Sequence, residues 1–479
     1  MLYVLYGVLA LILILVIVLA VNTVRIGTKK TDTVSPQLPD ESQVQLCGEK
    51  LSAMVKCETI TSVTNEKIYA FHQVLKEQFP NVFATLEVHD IDNGALLLKW
   101  PGKNPEKNGI LLMAHQDVVP ATGEWEHDPF SGDIDENSVI WGRGTVDTKG
   151  SLAAIFQSVE ELISEGFVPQ NDVYIASSKN EEANGTGAPA TVKFLQDNGV
   201  KLSLVLDEGG AIVDAPLPGL SGKFAMIGLI EKGYGAVRFT AKSNGGHAST
   251  PTPDTPIARI GKFVTYMDEK QPFNKQFTMP IEKMFTTLAP YMTGALKVVM
   301  ANLWLFKPVL TKILPKFSAQ AGAMLGTTCA FTMCSGSPAE NVIPEEATLT
   351  ANLRYMINER EEASLKKLES IAAKFDLKMD VLTTRDCSSV ADITTGAYDS
   401  VVATLEKTFP ECGCAPYVML QGSDSRNYEP VCDCVLKFAP LIITKQQMAS
   451  IHGINENISA MAIARAVVFY KELIKHNNA

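Results

Sequence analysis

The 479-residue chain has no run of basic residues, and its formal net charge is −11. Holding a phosphate backbone takes a positive surface, so nucleic acid is excluded as a partner; small molecules, peptides and proteins remain. A disulfide framework is missing too, because nine cysteines are an odd count in so long a chain. Cys412/Cys414 and Cys432/Cys434 form two C-x-C pairs, which lack the usual zinc spacing; they read as scattered thiols, with a structural metal clip or disulfide as the alternative. Charge is absent altogether from Leu2 to Val24, a stretch of mostly Leu, Val and Ile. No positive leader precedes it, which disfavours a cleaved signal peptide, and it is long enough to cross a bilayer as a helix. Residues 1–24 are therefore expected to be an uncleaved transmembrane anchor. The nearest positive charges, Arg25, Lys29 and Lys30, follow the span, so the positive-inside rule favours the cytoplasmic side for the body.

What is present describes a globular protein: 46% hydrophobic and 20% charged residues, in a chain long enough for two domains. A polar, proline-containing linker is expected over 25–43. Beyond it, short apolar strands alternate with helices: "GALLLKW", "GILLMAH", a helix at "SLAAIFQSVEELISEG", "DVYIASS", a helix at "TVKFLQDNG", then "LSLVLDEGG". This order predicts an α/β sheet covered by helices. From Glu231 the pattern changes to strand–helix–strand–strand–helix–strand, the order of a ferredoxin-like sandwich, and the first pattern returns after about Cys387. The expected organisation is a catalytic domain of two parts, 44–230 and 389–479, interrupted by an inserted domain at 231–388. Residues from about Met279 to Met324 exceed a minimal sandwich, being apolar with helical period. Two readings stand: an extra helical pair completing the core or a dimer contact, or a wall for an acyl chain or a membrane-resting surface.

Three of the apolar strands end in side chains that water would normally keep. "GILLMAHQD" delivers His115 and Asp117, "VYIASSKNEE" delivers Glu181 and Glu182, and "LSLVLDEGG" delivers Asp207. The carboxyl ends of strands in open α/β sheets are where ligands bind. Asp147 lies in a Gly-flanked loop before a helix, and His452 just before the last helix. Singly, each of these is more often a satisfied or solvated residue than a ligand. Jointly they require several independent burials of charge, each costly if unpaired. Two histidines and three carboxylates, one bridging, suit a pair of zinc ions about 3.5–4 Å apart, with one carboxylate left over as a general base.

"MAHQDVVP", "WGRGTVDTKG", "NEEANGTGA", "DEGG", "GGHASTP" and "HGINENIS" resemble the ordered motifs of the dizinc aminoacylase and carboxypeptidase family, from about residue 45 to the end. "MIGLIEKG" and "NLWLFKPVL" are similar to its carboxypeptidase S and N-fatty-acyl-amino-acid synthase/hydrolase branch. The resemblance implies a zinc-exopeptidase-like mixed sheet covered by helices, with an inserted ferredoxin-like lid and dimerisation domain. It implies His115 and Asp207 on one Zn2+, Glu182 and His452 on the other, and Asp147 bridging. Asp117 would orient His115, Glu181 would serve as general base, and His247 would stabilise the oxyanion. In dimeric relatives that histidine reaches the partner's site, so a homodimer is implied as an option. Asn341 and Arg354 would come from the lid, the latter clamping a free carboxylate, and Gly422 and Ser423 from a turn beside the substrate. Asn180 and Asn352 stand where many relatives carry Asp. No metal-ligand position is lost.

The reading that follows is a membrane-anchored dizinc amidohydrolase, with Co2+ or Mn2+ able to substitute. Its substrates would be N-acyl amino acids with an apolar or fatty acyl group, or small peptides cut from the C-terminal end, with reverse condensation open to the same catalyst. The alternatives are a dipeptidase or carboxypeptidase acting on unlipidated peptides, and a non-catalytic membrane-anchored binding protein.

Overall fold

The strand Gly109–Met113 is buried at every position, and so is Val173–Ser177. They pair in parallel, and Gly109–Met113 pairs in parallel with Leu202–Asp207 on its other side. Unbroken apolar runs of this kind are what a parallel sheet with both faces covered demands. In the computed structural model, which describes residues 1–61, 64–104 and 108–476, they form the middle of a nine-stranded mixed sheet. Glu87–Ile91 and Ala95–Trp100 extend one side antiparallel. Val435–Lys437, Lys223–Glu231 and Gly413–Met419 extend the other, with Ile212–Asp214 off the main path. Helices Lys149–Ser164 and Ala460–His476 pack on each other and supply much of the largest core cluster, including Leu152, Phe156, Ile463 and Phe469.

The four-stranded sheet of the insertion runs Thr328–Ser335, Glu346–Arg354, Tyr234–Lys242, Lys378–Arg385 from edge to edge. All its pairings are antiparallel, and in chain order it reads 2-3-1-4, the ferredoxin-like arrangement. Glu346–Arg354 alternates between buried and less buried positions, as a one-sided sheet requires. Helices Pro256–Lys270 and Glu361–Ala373 cover its apolar face around Phe239, Phe263 and Leu353. Pro256 opens the first of these at a position where its missing N–H costs nothing, and the Thr255 hydroxyl accepts from Ala258 N. The chain enters and leaves this unit side by side: Ser388 N donates to Glu231 O at 3.1 Å, and Glu231 N to the Ser388 hydroxyl at 3.0 Å.

Two differences from expectation concern the N-terminal half. The first helix of the body, Glu41–Val55, already begins inside the expected linker, capped by the Asp40 carboxylate accepting from Gln43 N. The first part of the expected linker is bonded to the body: Lys29 N donates to Pro290 O at 3.0 Å and Asp32 N to Glu411 O at 2.8 Å. All nine cysteines are free thiols, Cys432 and Cys434 buried, Cys412 and Cys414 half-buried. The apolar stretch after Met279 divides. Helix Met279–Leu288 buries Ile281, Met284, Phe285 and Leu288 in a core with Phe224, Ile230 and Val418, whereas helix Leu303–Phe317 buries only Leu303.

Candidate metal centre

Asp147 has one oxygen for each of two histidines. Its Oδ1 lies 3.0 Å from His115 Nε2, and its Oδ2 lies 3.0 Å from His452 Nε2. The second histidine also faces Glu182 Oε2 at 3.1 Å. Glu208 Oε1 approaches His115 Nε2 at 3.3 Å, and Glu181 Oε2 stands at 4.0 Å. Ligand atoms of His115, Asp147 and Glu182 lie within 4.8 Å of one another, as do those of His115, Glu181 and Glu208. A carboxylate flanked by one imidazole on each oxygen is the arrangement that bridges two cations.

The fold holds these groups from behind. His115 Nδ1–H donates to the Asp117 main-chain carbonyl at 2.8 Å, which leaves Nε2 with its lone pair toward the cluster. The expected carboxylate partner, Asp117 Oδ1, is farther at 3.4 Å, because Asp117 is fully buried and accepts from the amides of Glu181 and Glu182 at 3.0 and 3.2 Å. Asp117 thus clamps the loop that carries both glutamates. Asp147 is fixed by Glu456, whose Oε1 accepts from Val146 N at 2.9 Å and Asp147 N at 3.1 Å. Its other oxygen pairs with Arg143 at 2.7 Å, both side chains being almost inaccessible. Gly144 carries φ +89°, and a Cβ there would meet the Val118 side chain at 2.7 Å, so this loop packs down only with glycine. His452 sits at φ +60°, a conformation L side chains seldom adopt, next to the cluster it serves.

One expected ligand, Asp207, faces away from the histidines. Asp207, the last residue of its strand, turns Oδ2 toward Ser425 N at 3.0 Å, while its neighbour Glu208 faces His115. The strand ends at Asp207 and the chain bends at Glu208, so the two neighbouring carboxylates face apart. Asp207 instead anchors the turn Gly422–Ser425. Ser423 N donates to Glu231 Oε2 at 2.6 Å, the hydroxyl of Ser178 bonds Asp424, and Arg426 pairs with Glu231. The turn is thereby tied to the ends of three strands. Ser423 is buried within it and Gly422 is exposed.

The lid residues are arranged differently. His247 is exposed on a two-residue strand paired with Val342–Ile343, its Nδ1 2.8 Å from the Ser249 hydroxyl. Asn341 belongs to the same ribbon, its carbonyl accepting from Ala248 N at 3.0 Å. The Arg354 guanidinium lies 5.1 Å from the Tyr234 ring centroid and, among the described residues, has no carboxylate within ion-pair distance. Burial, and after it the charge of Arg354, pushes the Lys232 ammonium down to about 7. No hydrogen bond or ion pair joins His247 or Arg354 to the carboxylate cluster among the described residues.

Electrostatics show what the cluster needs. Burial pushes the Glu181 carboxyl up to about 10, with Glu208, Asp424 and Asp147 adding to the effect against His115. Burial likewise raises Glu208 to about 7. Hydrogen bonds donated to the Asp147 and Glu182 carboxylates raise His452 to about 10. Burial alone would lower His115, but Glu208, Asp117 and Asp147 hold it well above its usual value. Crowded carboxylates of this sort take up protons only for want of another positive charge. A divalent cation supplies that charge and fits the imidazole and carboxylate donors present.

A model of peptidase family M20/M25/M40 matches residues 111–476. The chain is 32% identical to the N-fatty-acyl-amino acid synthase/hydrolase PM20D1 of Xenopus tropicalis over 482 residues, covering 98% of this chain and 93% of that one. It is 26% identical to carboxypeptidase S of Saccharomyces cerevisiae, covering 90% and 84%. Among solved structures it resembles the dipeptidase Dug1p of Saccharomyces cerevisiae (TM-score 0.63, 14% identity, covering 91% and 98%). Human carnosine dipeptidase 1 is similar at TM-score 0.62 and 15% identity, covering 92% and 99%. These likenesses bear out the mixed sheet covered by helices. The chain belongs to peptidase family M20/M25/M40, metallohydrolases that act on amide bonds.

Proposed function

We propose that this protein is a dizinc amidohydrolase of N-acyl amino acids whose acyl group is apolar, anchored in a membrane by residues 1–24. The observation that carries the reading is Asp147, with one oxygen 3.0 Å from each histidine. His115 and Glu208 would hold one cation, Glu182 and His452 the other, and Asp147 both. Bound cations would supply Lewis acidity toward the amide carbonyl and lower the pKa of water.

The residues then divide the work. Glu181, held by its own amide on Asp117, takes the proton of the attacking water and returns it to the leaving nitrogen. Arg354 binds the free carboxylate of the amino acid through its paired N–H donors, which meet no competing acid among the described residues. The buried turn carrying Ser423 sets the wall beside the scissile bond. His247 donates to the developing oxyanion from the lid of a second copy of the chain, since among the described residues its own ribbon is not bonded to the cluster. The apolar acyl group is inferred from the synthase/hydrolase relatives and from the greasy insertion after Met279. Condensation of fatty acid and amino acid runs through the same residues when both are abundant.

The test is a rate comparison on the zinc-loaded full chain in detergent, using long-acyl-Leu, short-acyl-Leu and a dipeptide ending in Leu. The proposal expects the long-acyl substrate to have the highest kcat/KM. A higher value for the dipeptide would replace it with an unlipidated-peptide carboxypeptidase.

A further inference from the structure

The last two turns of helix Leu2–Arg25 are docked. Asn302, fully buried at a 110° break between helices Gly294–Ala301 and Leu303–Phe317, accepts from Asn22 Nδ2 at 2.9 Å. Its own Nδ2 reaches Leu19 O at 3.2 Å and Val298 O at 2.8 Å. Ile26 packs on the neighbouring core, and Lys297 Nζ donates to the Thr28 hydroxyl at 2.6 Å. The remainder of the helix, Leu2 to Val18, is exposed along its whole length. The body is thus mounted rigidly on the end of a membrane-length helix, not tethered to it.

That mount fixes which face meets the membrane. Leu19 lies about 9 Å before Arg25 along the helix axis, so Asn302 and Trp304 come to rest near the boundary of hydrocarbon and headgroups. Helix Leu303–Phe317 carries large apolar side chains that no described residue covers: Trp304 is 55% exposed, Val309 51%, Ile313 38% and Phe317 83%. Val309, Ile313 and Phe317 recur at every fourth position, one stripe of a helix. Lys312 and Lys316 are exposed beside them. From Lys283 to Ala339 the chain contains no Asp or Glu, although the whole protein is acidic. Arg25, Lys29, Lys30 and Lys297 add positive charge where the span emerges.

An apolar stripe, an amphipathic tryptophan and flanking lysines, held level with the end of a span, fit one partner. We propose that helix Leu303–Phe317 lies in the interface of the same bilayer that holds the N-terminal helix, against an anionic leaflet, and keeps the lid side of the enzyme at the membrane. This rests on the reading of residues 1–24 as a span. It adds a second, peripheral contact, through which apolar acyl substrates would be met at the lipid surface.

The test uses the full chain reconstituted into vesicles of phosphatidylcholine with about one-quarter phosphatidylserine, with or without brominated acyl chains. Flotation that resists alkaline washing reports the span. Trp304 reports the helix, because the difference between wild type and W304F isolates its fluorescence from the other three tryptophans. Brominated lipid is expected to quench the wild type and to leave W304F nearly unchanged. Lys312→Glu with Lys316→Glu is expected to remove about half of that quenching in anionic vesicles and little in neutral ones. Flotation with equal quenching in wild type and W304F would overturn the interfacial helix while leaving the span. Failure to float would overturn both. Trp304 emission that is shielded without lipid, in a particle of twice the mass, would assign the stripe to a second copy and equally overturn the proposal.

Discussion

The carboxylate cluster and the lid residues meet opposite fates in one chain. Around Asp147 every group is held by another: Asp117 by two amides, Glu456 by Arg143, the Gly422–Ser425 turn by Asp207 and Glu231. On the lid, His247 is exposed, and Arg354 has an aromatic ring but, among the described residues, no acid. The first set is preorganised by the fold of a single chain, as electrostatic catalysis requires. In the proposed reading the second set is left open for a substrate carboxylate and a second copy.

The largest effects test this division from the side of the cluster. Glu181→Gln is expected to lower kcat by about 10³–10⁴-fold with metal content unchanged, measured by steady-state kinetics beside elemental analysis. Unchanged kcat would remove Glu181 from proton transfer. Glu208→Gln should lose one of two equivalents of metal, whereas Asp207→Asn should keep both and only loosen the turn; the opposite result would restore Asp207 as ligand. Moving to the lid, His247→Ala is expected to cost about 10²–10³-fold in kcat. Co-expressed with Glu181→Gln it should recover about one quarter of wild-type activity, since only mixed dimers build one good site. No recovery would place His247 in its own chain's site. Arg354→Ala should raise KM by about 10–100-fold with kcat nearly kept, the loss of a charge-assisted hydrogen bond made in ground and transition states alike.

The smallest effect is one of pH. Without metal, His452 titrates near 10 in the folded protein and about 6.5 when unfolded, so the folded state binds more protons across that window. Glu181, raised to about 10, has the same sign. These two groups therefore withdraw stability from the metal-free protein as pH rises from about 6.5 to 10, against the opposite sign of Lys232, and the stabilisation by added zinc must grow. Thermal melts of stripped and loaded protein across that range check it. A gap that narrows with rising pH would contradict the assignment.

Much of this was legible because strands buried on both faces announce themselves. "GILLMAHQD", "VYIASSKNEE" and "LSLVLDEGG" are apolar runs with abrupt polar ends, and their ends do meet. That Glu208 and not Asp207 faces His115 was not legible, because the strand ends at Asp207 and the chain bends at Glu208. Strands Lys223–Glu231 and Gly413–Met419 were hidden by Gly, Ala, Met, Cys and Pro, which carry no strand period. Arg143 and Glu456 are 313 positions apart, and nothing local marks either as the other's partner. The same holds for Glu231 with Arg426, a pair that exists only after the sheet has closed. Arg354 is singled out by the family motif alone, not by its own surroundings, where it reads as an ordinary strand arginine.

The most direct measurement is anomalous diffraction at the zinc edge from crystals of active protein, with metal quantified in the same preparation. Two peaks, one beside each oxygen of Asp147 and flanked by His115 and His452, are the expected result. Fully active protein without bound transition metal, or a peak remote from Asp147, would contradict the assignment.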